Sequence, residues 1–193
     1  MNKEYGVSII YNARPPDSVF RFRQKIFRKG KPGLDIDKYD DRCHHFMLHD
    51  QKSGDLVCVF RALLFKKNKE IYDCYSSQFY DLKSLQGLNG NMLEVGRFCL
   101  DENNKDPNIL RLAWNSISRF ILQENVKIIF GCTSFEGVDE TNHFQAFALL
   151  KEKYLTSIAI QPIEGVDRVF EYAKDLKAKH LDHFLAFKNL PPL

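Results

Sequence analysis

Met92-Leu93-Glu94-Val95-Gly96-Arg97-Phe98-Cys99-Leu100 is an apolar, strand-like stretch interrupted by a carboxylate, a glycine and an arginine. A charge inside an apolar strand is costly unless it is paired or used. Glycine within a strand marks a bulge, or a close approach by another backbone or a ligand. On a regular strand Glu94 and Arg97 would face opposite sides, because the side-chain period is two. A bulge at Gly96 brings them to one side. The stretch is therefore expected to form the floor of a site; the alternative is an internal ion pair with no chemistry.

Downstream, Asp106-Pro107 reads as the start of a helix, with Asp as cap and Pro at the first helical position. It should run to about Glu124, burying Leu110, Ala113, Trp114, Ile117, Phe120 and Ile121 and wetting Arg111, Asn115, Arg119 and Gln123. Residues 126–132 read as a strand ending in Gly131-Cys132-Thr133-Ser134. This strand–helix–strand run predicts that strands 91–100 and 126–132 are parallel neighbours. Upstream, Leu56–Phe65 is a strand holding Arg61, which needs a carboxylate partner, and 45–49 is its hairpin mate across the turn 50–55. Asp17–Lys29 is a helix capped by Asp17, on which Arg23 and Phe27 share a face. Asp35-Ile36-Asp37-Lys38-Tyr39-Asp40-Asp41 reads as an acidic loop, at its plainest a solvated turn. Residues 66–90 are turn-rich, with a short helix near Leu82. Helices are expected at 141–154 and 172–187, and a strand at 155–163.

The 193 residues, 44% hydrophobic and 27% charged, suit one domain with a sizeable core. A net charge of +3 without a Lys/Arg-rich run argues against nucleic acid as a partner. Met1-Asn2-Lys3-Glu4 lacks the apolar core of a signal peptide, and no apolar run is long enough to span a bilayer. Five scattered cysteines, mostly in apolar segments, suit a reducing cytosol. Cys43-His44-His45 with His49 has metal-capable atoms but no metal-site spacing, and a structural role fits better. Cys132 near His143 is a weak nucleophile candidate, because buried strand cysteines are usually inert. No phosphate-binding glycine motif occurs.

What remains is a set of charges flanking the central strand: Arg23-x3-Phe27, Asp35-x-Asp37-x2-Asp40, Arg61 and Glu94-x2-Arg97. With Phe20-Arg21-Phe22-Arg23, Asp37-x2-Asp40-Asp41-x-Cys43-x-His45, Phe60-Arg61-Ala62-Leu63-Leu64, Tyr75-Ser76-Ser77-Gln78-Phe79-Tyr80-Asp81-Leu82, Leu93–Cys99 and Phe130–Phe135, they resemble one family. It is the branch of the GNAT acyltransferase superfamily that takes acyl groups from acyl carrier protein (ACP). The nearest resemblance is to the ornithine N-acyltransferases, hemolysin-like enzymes that make lyso-ornithine lipid. It is strongest over 19–155 within a single domain of residues 1–193. Acyl-homoserine-lactone synthases share the charged skeleton more distantly. They carry a tryptophan after the first helix, whereas the only one here is Trp114. Ornithine acyltransferases usually continue past a Leu-Pro-Pro-Leu segment, whereas this chain stops at Leu193.

The resemblance implies an α/β GNAT fold: a mixed, twisted sheet flanked by helices, whose central parallel strands splay to admit an acyl-pantetheine. It implies an N-acyltransferase with Glu94 as base and Arg97 and Arg23 as substrate or loop anchors. Arg61 would be an internal partner of the acidic loop. Phe27, Asp37 and Asp40 would line the substrate site, and an N–H near Gly96–Phe98 would steady the oxyanion. The donor expected is a (3-hydroxy)acyl-ACP, since loop 101–107 holds three acids and no glycine where GNAT enzymes cradle the coenzyme A (CoA) diphosphate. Lys105, Arg111 and Arg119 are candidate contacts for the carrier. The acceptor expected is ornithine or a related amino acid. No permanent cofactor and no metal are implied, and the location is cytoplasmic, with peripheral membrane association left open. Alternatives are a homoserine-lactone-synthase-like or CoA-dependent GNAT enzyme, and a non-catalytic module binding acyl-ACP or lipid.

Overall fold

Leu56–Phe65 is apolar at almost every position except Arg61, the pattern of a strand covered on both faces, and it takes the centre of a five-stranded sheet. The computed structural model describes residues 4–29, 31–66, 68–135, 137, 139–166, 170–176 and 181–191. In chain order its elements are β1 (Tyr5–Ile10), α1 (Asp17–Phe27), β2 (His44–Asp50), β3 (Leu56–Phe65), β4 (Tyr80–Asp81) and α2 (Lys83–Gln86). Then come β5 (Asn91–Leu100), α3 (Pro107–Gln123), β6 (Val126–Phe130), α4 (Phe144–Leu149), β7 (Ile163–Glu164), α5 (Tyr172–Asp175) and α6 (His183–Lys188). The described chain forms two compact units, 1–76 with 89–132, and 77–88 with 133–193. No described helix is long and apolar enough to cross a membrane.

The first unit holds the large sheet, in the order β1-β2-β3-β5-β6. The first three junctions are antiparallel, and β5 pairs parallel with β6, as the strand–helix–strand pattern predicts. Alternation sends Phe46, Leu48, Phe60, Ala62 and Leu93 to one face, where they meet Ile109, Ala113, Ile117 and Phe120 of α3. Val19 of α1 packs with Met47, Val59 and Cys99 in a separate cluster. Phe46 stacks on Phe60 at 4.5 Å between ring centroids. Each such fully buried side chain contributes roughly 1.5–3 kcal/mol.

Several expectations are corrected. β1 was not foreseen, and its register with β2 runs from Tyr5↔Asp50 to Ile10↔His45. Asp17 does not cap α1: Pro16 holds that position, and Asp17 pairs with Arg14 in the first turn. Asp106 does cap α3, accepting from the Asn108 N–H at 2.9 Å. Its buried face takes Ile109 and Ser116 rather than Leu110 and Trp114, and the Trp114 ring lies on Phe98 near the surface.

In the second unit β4 and β7 form a two-residue ladder. Gly165 fits closely there: a Cβ would stand 3.0 Å from the carbonyl oxygen of Phe79, which would have to give by a few tenths of an ångström. Rings of Phe144, Phe147, Phe170 and Tyr172 pack together at 5.4–5.7 Å. The helix expected over 141–154 is a 3-10 turn, then α4, then a π-type turn. The strand expected at 155–163 is a 3-10 turn at Ile158–Ile160 followed by β7. The helix expected over 172–187 is two short helices, and 177–180 lie outside the described residues.

Candidate active site

β5 holds the bulge that its glycine suggests. Arg61 pairs with Gly96 and Val59 with Cys99, so β5 carries one residue more than β3 between those points. Arg97 absorbs it with a left-handed backbone, φ 54°. Such a conformation is uncommon for a non-glycine residue and is often held in place at functional sites. The bulge restores the alternation out of phase: Val95 and Phe98 both join the α3 core, and Cys99 joins the cluster under α1. Glu94 and Arg97 are thereby turned to the same side, away from α3.

On that side three arginines meet three aspartates. Arg23, on the buried face of α1, donates from Nε to Asp35 Oδ2 at 3.0 Å and from Nη1 to Asp40 Oδ1 at 2.7 Å. Arg61 donates from Nη1 to Asp37 Oδ1 at 2.6 Å and to Asp40 Oδ1 at 2.7 Å, and from Nη2 to Asp37 Oδ2 at 2.8 Å. Arg97 donates from Nε to Asp35 Oδ2 at 2.9 Å and from Nη2 to Asp37 Oδ2 at 3.1 Å. The acidic loop is thus folded inward as counter-charge rather than left as a solvated turn. It is braced internally by the Asp37 N–H on Asp40 Oδ2 and the Tyr39 N–H on Asp37 Oδ1. His45 contacts the Asp40 carbonyl oxygen at 2.8 Å.

Burial alone would push the Asp37 and Asp40 carboxyls up. Hydrogen bonding and charge from Arg61 at Asp37, and from Arg23 and Arg61 at Asp40, outweigh it and hold both below the usual carboxylate range. Arg23 is the most enclosed of the three, with 1% of its side chain exposed, against 15% for Arg97. Of these three arginines Arg97 is therefore the most accessible to solvent, while the exposed Arg28 stands 3.7 Å from Asp35 at the rim. The rings of Phe27 and Tyr75 lie 5.6 Å and 4.7 Å from its guanidinium carbon.

Glu94 is buried and takes one backbone N–H on each carboxylate oxygen, from Tyr75 at 3.1 Å and from Ser76 at 2.6 Å. The parallel pairing of β5 with β6 ends beside it, at Glu94↔Phe130, although β5 runs on to Leu100. Cys132, just past β6, donates its S–H to Ser76 Oγ at 3.4 Å. Burial pushes its thiol up, which disfavours the nucleophile role considered for it.

Of the residues singled out in the sequence, Arg23, Phe27, Asp37, Asp40, Arg61, Glu94, Gly96 and Arg97 come together. The Phe98 ring lies elsewhere, stacked between Phe60 and Trp114 at 5.0 and 6.1 Å, so only its backbone reaches this side. Lys105 stands in the loop before α3, and Arg111 and Arg119 are exposed on α3. His49 contacts Ser8 at 3.1 Å, and His44 lies between the rings of Tyr11 and Phe120. Asp35, Tyr75 and Ser76 are additional members. Asp35 belonged to the acidic triplet, and Tyr75-Ser76 to a matching motif, but neither pattern reveals which group meets which.

The frame of this site is a mixed sheet flanked by helices, whose parallel β5–β6 ladder ends beside the buried Glu94 carboxylate. The family model for the acetyltransferase (GNAT) domain matches residues 18–115, and the chain belongs to that family. Among curated relatives, the L-ornithine N(alpha)-acyltransferase of Rhodobacter capsulatus is 27% identical over 154 residues, 75% of this chain and 60% of that protein. That of Agrobacterium fabrum is 24% identical over 166 residues, 82% of this chain and 56% of that protein. The chain thus spans less than two thirds of the length of these relatives. Solved structures similar to it include the AHL synthase LasI, at 15% identity and TM-score 0.49, covering 67% of this chain and 72% of that one. Another is FeeM, an N-acyl amino acid synthase from uncultured soil microbes, at 14% identity and TM-score 0.46, covering 66% and 71%.

Proposed function

We propose that this protein is an N-acyltransferase that moves a (3-hydroxy)acyl group from acyl carrier protein to the amine of ornithine or a related amino acid. In this reading residues 1–193 form one acyltransferase domain at work in the cytoplasm, making a lyso-ornithine-type lipid. Membership of the GNAT family and the names of the curated relatives support the reaction class and the acceptor. The observation that carries the reading is the placement of Glu94 and Arg97 on one side of β5, where pairing with β6 stops.

The acceptor amine attacks the thioester carbonyl, a C–N bond forms, and the C–S bond breaks to release the carrier thiolate. Glu94 takes a proton from the incoming ammonium, directly or through water, which frees the lone pair that attacks. A carboxylate offers about four lone-pair sites, and the Tyr75 and Ser76 amides take two, so the group is oriented and still able to accept. A backbone N–H at Gly96–Phe98 faces the oxyanion. Arg97 attracts the acceptor carboxylate while anchored to Asp35 and Asp37.

A second reading, a non-catalytic binding module, draws on the same carboxylate: two amide bonds are also what a purely structural latch would make. One assay separates them. Purified protein is given 3-hydroxyacyl-ACP and L-ornithine, thiol release is followed, and the product is weighed by mass spectrometry. The reading requires transfer, and Glu94→Gln should lower kcat by roughly 10²–10⁴-fold with little change in KM. A folded Glu94→Gln variant of undiminished kcat removes Glu94 from the chemistry, and absence of transfer in the wild type leaves the module reading.

A further inference from the structure

Tyr75 and Ser76 reach both members of the proposed catalytic pair at once. Their two amides hold the two oxygens of Glu94, and the Tyr75 ring lies 4.7 Å from the Arg97 guanidinium carbon. The segment leading to them is fastened to the acidic loop region, because Arg42 donates from Nη1 to Asp73 Oδ2 and from Nη2 to the Asp73 carbonyl at 2.7 Å. Ser76 is fastened in turn through the Cys132 thiol. Ser76 is 3% exposed and opens a short 3-10 turn, Ser76–Gln78. The N–H at the first position of a helical turn has no partner within the turn; here the carboxylate takes it.

From this we infer that Tyr75 and Ser76 are positioning residues, whose backbone amides set the direction of the Glu94 carboxylate and whose aromatic ring fixes Arg97. The kinetic side of the inference rests on the acyltransferase reading above; the geometric side does not. Misplacement of a catalytic group by about 1 Å can cost on the order of 10²-fold in rate, so a segment that aims Glu94 should act on kcat rather than on donor binding.

The test separates amide from hydroxyl at one position. Proline is tolerated at the first position of a helical turn, where the N–H is not used by the turn itself. Ser76→Pro therefore deletes the donor to Glu94 Oε1, whereas Ser76→Ala keeps it and deletes only the hydroxyl. With far-UV circular dichroism confirming the fold, Ser76→Pro should lose about 10²-fold in kcat with KM for acyl-ACP within about twofold. Ser76→Ala should retain at least about ten times the kcat of Ser76→Pro. Equal kcat in the two variants, or a loss in Ser76→Pro carried by KM alone, would overturn the inference. Amide hydrogen exchange by NMR needs neither activity nor Ser76→Pro. Glu94→Ala should speed exchange at Tyr75 and Ser76 by about tenfold or more, matching the loss of a charge-assisted hydrogen bond, and leave β2 unchanged. Unaltered protection at both amides would sink the geometric half even if the enzyme proved active. If wild-type transfer is absent while the amides deprotect, the acyltransferase reading fails and the positioning geometry stands.

Discussion

Gly131 lies so close to the Val95 carbonyl that a Cβ there would be 2.2 Å from the oxygen. No such contact can persist, and the oxygen belongs to a strand held on its other edge by β3, so the chain would have to shift. Gly96, on the same strand as Val95, is the opposite case: a Cβ there would have nothing within 4 Å. Gly131→Ala should destabilise the fold by roughly 1–3 kcal/mol, the usual cost of overpacking. Gly96→Ala should leave stability within about 0.5 kcal/mol, yet raise KM for the donor if that open space is where the thioester lies. Urea denaturation with steady-state kinetics on both variants checks this; a large stability loss in Gly96→Ala would mean the glycine serves the fold.

Asp40 receives hydrogen bonds from both Arg23 and Arg61. Removing it leaves two buried guanidinium groups short of a counter-charge, so Asp40→Ala should cost about 3–5 kcal/mol. Arg42 and Asp73 also make a close pair, but both are largely exposed. Arg42→Ala should therefore cost less than about 1 kcal/mol. Chemical denaturation that ranked the two substitutions equally would contradict the view that burial decides the difference.

Much of this organisation is legible in the sequence because it depends on local pattern. The run Leu56–Phe65, the Asp-Pro start of α3, and the Glu94–Arg97 interruption each carry their own signal, and β3, α3 and the bulge follow. The inventory of charges is also legible, since Arg61 in an apolar strand demands a carboxylate. The pairing is not: Arg97 takes Asp35 and Asp37 while Arg61 takes Asp37 and Asp40, and only tertiary geometry decides that. Unbroken alternation from Leu93 and Val95 would put Cys99 on the α3 side; the extra residue of the bulge puts Phe98 there instead and turns Cys99, with Val59, to the cluster under α1. Residues 141–187 resist reading for another reason. Their apolar residues fit a helical period, but the helices are short and end in irregular turns, and the aromatic cluster of Phe144, Phe147, Phe170 and Tyr172 is tertiary.

Acid should weaken the fold in two stages. His44 and His45 are buried, and burial pushes both imidazoles down; at His45 the Asp40 carbonyl opposes this but does not outweigh it. The unfolded chain accepts protons at these positions from about pH 6.5 while the fold resists them, so stability is full above that pH and declines below it. Asp37 and Asp40 are also depressed, so their contribution is full above about pH 3.9 and is lost as pH falls through their folded values. Among the described residues neither nitrogen of His44 has a hydrogen-bond partner. His44→Phe should therefore add on the order of 1 kcal/mol and blunt the upper stage, leaving the lower one. Urea midpoints measured from pH 7 to pH 3 check this, and a flat profile between pH 7 and pH 5 would refute the upper stage.

Choice of donor turns on the start of α3. A helix N-terminus with free amides attracts phosphate, but here the Asp106 carboxylate accepts the Asn108 N–H, and its other oxygen takes the Tyr5 hydroxyl at 3.0 Å. Asp101 is engaged at the other end of the loop, accepting from the Asn103 N–H at 3.2 Å, with Lys25 Nζ 3.7 Å away. A CoA diphosphate placed here would meet Asp101, Glu102 and Asp106 and would have to displace a cap worth about 1 kcal/mol. A carrier protein brings a single phosphate and an acidic surface of its own, which suits the exposed Arg111 and Arg119. A 3-hydroxyacyl-ACP should therefore exceed the matching acyl-CoA by at least about tenfold in kcat/KM, the equivalent of ~1.4 kcal/mol. Arg111→Glu with Arg119→Glu should raise KM for the ACP donor, more so at low ionic strength, and leave the residual CoA reaction unaffected. Thiol release with both donors, for wild type and double variant, measures each term. Equal efficiency with the two donors would overturn the donor assignment, and a double variant impaired equally with both would place the carrier elsewhere on the surface.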